Sequence, residues 1–253
     1  MLNDITYCEQ TIVKACLLAG RIMMQCGAET YRVEDTMKRM ADAFGILESQ
    51  SFVTPTGIIF SLDGLSPTHL ARINERGTDL EKIAEVNRIS RMISSKQLNA
   101  EEALLKLQEL DKARLAFPIW LQIAAAAFAS GSFSIMFDAG WSDFLPAFFA
   151  GGTGLFILVL THYFTKVKLF AEFSAAFVVG LSTLLIVRSG WGHELDLIIL
   201  ASVMPLVPGL LITNAIRDLM AGHFVSGLSK GAEAFLTAFA IGAGVAVVFL
   251  LWL

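Results

Sequence analysis

The second half of the chain is a succession of apolar stretches, and they constrain everything else. Residues 116–137, 144–164, 169–187, 195–213 and 232–253 are each close to the ~20 residues an α-helix needs to cross a hydrocarbon core. Five spans are expected. Charge is segregated from them, since 30 of the 42 Asp, Glu, Lys and Arg residues precede Ala116. With 55% hydrophobic residues and a mean hydropathy of +0.63, the chain is too apolar for a soluble globular protein. The expected architecture is a polytopic α-helical membrane domain, residues 115–253, preceded by a cytosolic α+β domain, residues 1–114.

Within that first domain, Ile5, Cys8, Ile12, Ala15, Ala19 and Ile22 recur at helical spacing up to Gly27, a C-cap residue. A second helix is expected over 29–44, with Val33, Met37, Met40 and Phe44 on one face. Glu29, Arg32, Glu34 and Asp35 crowd its first turn, where acidic groups complement the helix dipole. The alternative reading makes Glu29, Arg32 and Glu34 a contact surface for a partner or for the membrane mouth. Residues 51–60 are β-branched and aromatic but contain Pro55 and Gly57, which points to two short strands around a turn. Asp63-Gly64 is a hairpin signal, and 68–73 can supply the returning strand. Thr78 with Glu81, and Asn99 with Glu102, have capping-box spacing for two further helices.

Several chemistries are excluded. Cys8, Cys16 and Cys26 match neither a zinc site nor a redox pair and are expected to be reduced core thiols. His69 stands alone, so no metal, cofactor or catalytic residue is expected, and no phosphate-binding glycine loop is present. Before Ala116 the 14 basic residues are outnumbered by 16 acidic ones, which argues against nucleic acid. Residues 1–10 have no signal-peptide pattern, so the first domain is expected to stay in the cytosol.

The polar interest lies at 204–226. Pro205 and Pro208 each remove a backbone donor and Gly209 adds freedom, so the helical ladder should break inside an apolar stretch. Broken helices in lipid are tolerated mainly where they line a cavity. Just beyond, Asn214, Arg217 and Asp218 stand at i, i+3 and i+4 on one helical face. Pro205, Pro208, Gly209, Asn214 and Arg217 are therefore expected to bind a small polar solute. A half-helix starting near Gly209 would favour a carboxylate, and Arg217 would pair with an anionic group or with Asp218. The competing reading is a structural kink with an interfacial charge pair. Asp218, Glu233 and Glu172 are candidates for proton coupling, because carboxyls in poorly solvated places readily exchange protons. The competing reading for Glu172 and Glu233 is interfacial placement beside Lys168 and Lys230.

Lys112, Arg114, Lys166, Lys168, Arg217 and Lys230 fall in alternate connections, and the others hold only Arg188. The positive-inside rule then places the first domain in the cytosol and the C-terminus outside. Small-residue stretches such as 151–154 are expected to pack helices closely, and that packing extends to a partner chain.

The stretches GRIMMQCGAETYRVEDTM (20–37), SFVTPTGIIFSL (51–62), RGTDLEKIAEVNRISR (76–91) and VPGLLITNAIRDLMAGHFVSG (207–227) together resemble the threonine/serine exporter family, in particular its N-terminal half. The resemblance implies export of small polar metabolites from the bacterial cytosol across the inner membrane, threonine and serine or a succinate-like dicarboxylate. It also implies a short, separately encoded membrane subunit as partner, with a homo-oligomer as a further possibility and lipid as surroundings. The rival reading is a membrane-anchored sensor or assembly protein whose cytosolic domain binds a metabolite or protein.

Overall fold

The computed structural model describes residues 2–62, 67–113 and 117–252, with side chains from residue 9 to residue 251. Two compact units result, one of Met1–Ala116 with Leu210–Gly231 and one of Phe117–Gly209 with Ala232–Leu253.

The first unit begins with α1 (Leu2–Gln25) and α2 (Thr30–Ala43). Gly27 holds a left-handed φ of +88° between them, a conformation that costs glycine little. Strands β1 (Gln50–Thr54), β2 (Gly57–Ser61) and β3 (His69–Arg72) form an antiparallel sheet in that order. Thr54 pairs with Gly57, so Pro55 sits in the turn, where its missing N–H is not needed by the ladder. The Asp63-Gly64 signal lies outside the described residues. Helices α3 (Leu80–Ser94) and α4 (Ala100–Lys112) follow. For α4 the Asn99/Glu102 capping box is formed as its spacing predicts. For α3 the cap is Asp79, whose carboxylate accepts the Lys82 N–H at 3.0 Å, and not Thr78.

Ile22, Met23, Val33, Met37, Met40, Ile58, Phe60, Ile89, Ile93 and Leu107 are fully enclosed in this unit. Burying each such side chain contributes about 1.5–3 kcal/mol. Cys16 and Cys26 are buried free thiols of this core, pushed up to about 12 and about 11, chiefly by desolvation. They are inert hydrophobes at neutral pH.

The second unit contains α5 (Ile119–Met136), α6 (Phe144–Thr165), α7 (Lys168–Arg188) and α8 (Leu195–Val203), the last running into a 3-10 turn at Met204–Leu206. Its core mixes small residues with branched ones such as Val179, Ile198 and Ile241. Ala147, Ala150, Ala171, Ala175 and Ala176 are completely buried, and a Cβ on Gly152 would stand 3.1 Å from the Ala127 Cβ. Alanine and glycine let helix backbones approach closely. Asp143, fully buried before α6, accepts the His193 and Glu194 N–H groups at 2.9 and 3.1 Å and ties down the connection to α8.

The chain continues with α9 (Gly209–Met220) and α10 (Phe224–Trp252). Four described helices are long and apolar enough to cross a membrane, or five if the bent pair Leu195–Leu206 and Gly209–Met220 counts as one span. The ladder breaks where the prolines and Gly209 predict, with Val207 extended between the two pieces. The last helix is longer than the expected 232–253, because nothing breaks its ladder back to Phe224. Residues 210–231, which sequence reading places at the end of the fourth span and in the connection to the fifth, pack within the first unit through the polar face of α9.

Candidate functional site

The site is built on the corner between α1 and α2, residues 27–30, all within the first unit. Four consecutive corner residues are each met by a polar side chain from α9 or α10, Thr30 by two. Asn214 donates to the Gly27 carbonyl at 2.8 Å. Lys230 donates to the Ala28 carbonyl at 3.1 Å. Arg217 Nη1 donates to Glu29 Oε1 at 2.6 Å. Asp218 accepts both the N–H and the hydroxyl of Thr30, at 2.9 and 2.8 Å. Spacing of i, i+3 and i+4 gathers the three α9 residues on one face, and the corner supplies their counterparts.

Asp218 and Lys230 form the centre. The carboxylate is fully buried, Lys230 is 4% exposed, and Nζ lies 2.8 Å from Oδ2. Charges this deep persist only when paired and hydrogen-bonded. Helix α2 has no cap from its own N-cap residue, Glu29. Asp218 supplies one from far along the chain, placing a carboxylate on the first N–H and at the positive end of the helix dipole.

Glu29 faces the other way. Burial pushes its carboxyl up, but a hydrogen bond to its own backbone, Arg217 and then Arg32 together hold it below the usual carboxylate range. Arg32 Nη1 lies 3.3 Å from Oε2. The two guanidinium side chains are about half exposed, 54% and 47%, around one nearly buried carboxylate. Two cations around one anion leave an excess positive charge facing outward.

A third layer anchors the sheet. Ser226 donates to the Val53 carbonyl at 3.2 Å, and Glu34 accepts the Val53 N–H at 2.9 Å with His223 Nε2 3.9 Å from its other oxygen. Burial raises the Glu34 pKa, outweighing the opposing Val53 bond and His223, and Asp218 adds to the rise.

The expected residues therefore separate. Arg217 pairs with Glu29 and not with Asp218, whose partner is Lys230. Of the expected contact surface, only Arg32 is exposed; Glu29 is buried and Glu34 half-buried, both engaged internally. Pro205, Pro208 and Gly209 belong to the second unit, as do Glu172 and Glu233. There the cation beside Glu233 is Lys168, at 2.8 Å, not Lys230. Lys168 also lies 3.9 Å from Glu172, which accepts a hydrogen bond from Thr237 at 3.2 Å. Thr30, His223 and Thr237 escaped the sequence reading, and Lys230 entered it only as a cation between the last two spans. A lysine 12 residues after an aspartate carries no pairing signal, because the two stand on separate helices, α9 and α10, and only the fold brings them together.

A multi-pass membrane protein with a buried, charge-paired helix face is thus defined, and no His, Cys, Asp and Glu cluster suited to a metal occurs among the described residues. The chain belongs to the threonine/serine exporter family, whose model, ThrE, matches residues 14–252. It is similar to the "Probable succinate transporter subunit YjjP" of Klebsiella aerogenes, 25% identical over 96% of this chain and 95% of that one. The Escherichia coli protein of the same name is 24% identical, over 96% of each chain. The "Probable threonine/serine exporter" of Mycobacterium tuberculosis is 24% identical over 87% of this chain but only 42% of its own length. The curated relatives with these names are transporters, not enzymes. No solved structure gives a significant match.

Proposed function

We propose that this chain is a subunit of a proton-coupled secondary exporter that moves small carboxylate-bearing metabolites, threonine and serine or a succinate-like dicarboxylate, out of the bacterial cytosol. The observation that carries the reading is the half-exposed pair of Arg217, on α9, and Arg32, on α2, around Glu29. An outward-facing excess of positive charge attracts a carboxylate, and a guanidinium binds it through two parallel N–H groups.

Alternating access follows if α9 carries Arg217 between two positions, with Asp218 and Lys230 holding its face to the corner in one of them. The match over nearly the whole length of relatives named as subunits supports a short membrane partner of the same family. The inner membrane, with residues 1–114 in the cytosol and the C-terminus outside, is the setting that the distribution of lysine and arginine favours.

The test is efflux of labelled threonine, serine and succinate from loaded cells expressing the chain with and without a short family subunit, at two proton gradients. Gradient-dependent export of one solute class is the expected result, and no flux of any solute from correctly inserted protein overturns the reading. Pro208→Ala with Gly209→Ala restores helix-forming residues at the break. It is expected to lower efflux about tenfold or more at unchanged abundance, since misplacing binding groups by about 1 Å is costly. Unchanged efflux removes the break from the mechanism.

A further inference from the structure

The three candidate proton carriers are separated by their surroundings. Asp218 is saturated by Lys230 and two donors of Thr30. Giving it a proton means breaking the pair that holds α9 and α10 to the corner. Glu233 has a quarter-exposed side chain, with Lys168 at 2.8 Å. Glu172 differs from both. Its side chain is 6% exposed, Oε1 accepts from Thr237, and Oε2 is buried with no hydrogen-bond partner. Lys168 stands between the two glutamates, bonded to Glu233 and 3.9 Å from Glu172. The other ionisable group bearing on Glu172 among the described residues is His162 of α6.

An ionised carboxylate with one bare buried oxygen is expensive, whereas a neutral carboxyl tolerates the same place. We propose that Glu172 takes up and releases the coupling proton, and that Lys168 exchanges between Glu233 and Glu172 as it does so. On release, the Glu172 O–H bond breaks and the proton passes to water. The carboxylate then draws the Lys168 ammonium from 3.9 Å into hydrogen-bond range, away from Glu233. Uptake reverses each step. Asp218 is thereby a positioning residue and not a proton carrier. This assignment rests on the exporter reading and selects one carboxyl within it.

The full chain, with its short subunit where transport requires one, is reconstituted in vesicles with labelled succinate and labelled threonine as probes. Counterflow at equal pH on both sides needs binding and alternating access but no net proton movement, and gradient-driven efflux needs all three. Glu172→Gln keeps the shape and neutralises the group. Counterflow is expected to persist while gradient-driven efflux falls about 100-fold, the low end of what a positioned proton-transfer group contributes. Undiminished gradient stimulation in this variant overturns the assignment, and so does joint loss of counterflow and efflux. A wild-type complex that carries the probes with no response to the gradient sinks the proton-coupled reading itself, and this assignment with it. Infrared difference spectra across pH give a readout independent of flux. A titrating carboxyl band present in the wild type and absent in Glu172→Gln is expected, and its persistence in the variant is contrary evidence.

Discussion

Asp218 and Glu172 are both buried carboxyls with a lysine nearby, yet their surroundings differ. Asp218 has an ammonium at 2.8 Å and two further donors, so each oxygen is satisfied and the group is committed. Glu172 has one hydroxyl donor, a lysine 3.9 Å away that is engaged elsewhere, and one bare oxygen. Saturation makes a structural joint, and incomplete satisfaction leaves a group that can change state at low cost.

The largest effect expected from this contrast is on Asp218. Asp218→Ala leaves Lys230 buried and uncompensated, a change of about 3–5 kcal/mol, read as a drop in Tm and in yield of the solubilised protein. Adding Lys230→Met should recover much of that loss, because an apolar pair of similar volume is often neutral in such a place. Failure of the double variant to recover would show that Lys230 matters mainly through the Ala28 carbonyl.

Glu172→Gln should cost under about 1 kcal/mol, since it breaks no hydrogen-bonded ion pair and keeps the acceptor for Thr237. A loss as large as that of Asp218→Ala would erase the distinction between the sites. Thr30→Val removes the hydroxyl donor and leaves the N–H, an expected cost of about 1 kcal/mol. Measuring it in the Asp218→Asn background sharpens the comparison, because the cost should shrink when the carboxylate charge is gone.

Arg217→Ala should have the smallest effect on stability, a few tenths to about 1 kcal/mol, because half of the side chain is exposed and solvent screens the pair. Its pH dependence is specific. Glu29 is held below its ordinary value of 4.5, so the contribution of the pair is present above that value. It disappears as pH falls through the lower folded value. The stability gap between wild type and Arg217→Ala should therefore close on acidification and stay open at neutral pH. A gap independent of pH would mean that Arg217 acts through packing alone.

How much of this was legible varies with range along the chain. The Asn99/Glu102 box spans three residues and could be read directly, as could the strand break at Pro55 and the helix break at Pro208-Gly209, because each depends on local backbone chemistry. Asp79 displaced Thr78 as a cap because neighbouring polar residues compete for the same N–H groups and sequence cannot rank them. Lys230 looked like one more loop charge, and only its burial beside Asp218 reveals its role.

The sequence by itself determined that the chain enters a membrane, where its last spans break, and that Asn214, Arg217 and Asp218 share a face. It also dictated that buried polar groups on that face must find partners. Which partners they find was decided only by the tertiary structure, where Gly27, Ala28, Glu29 and Thr30 meet Asn214, Lys230, Arg217 and Asp218 across sequence separations of 187 to 202 residues. Periodicity encodes the direction in which a side chain points, whereas a buried charge is satisfied by whatever donor the fold brings within about 3 Å.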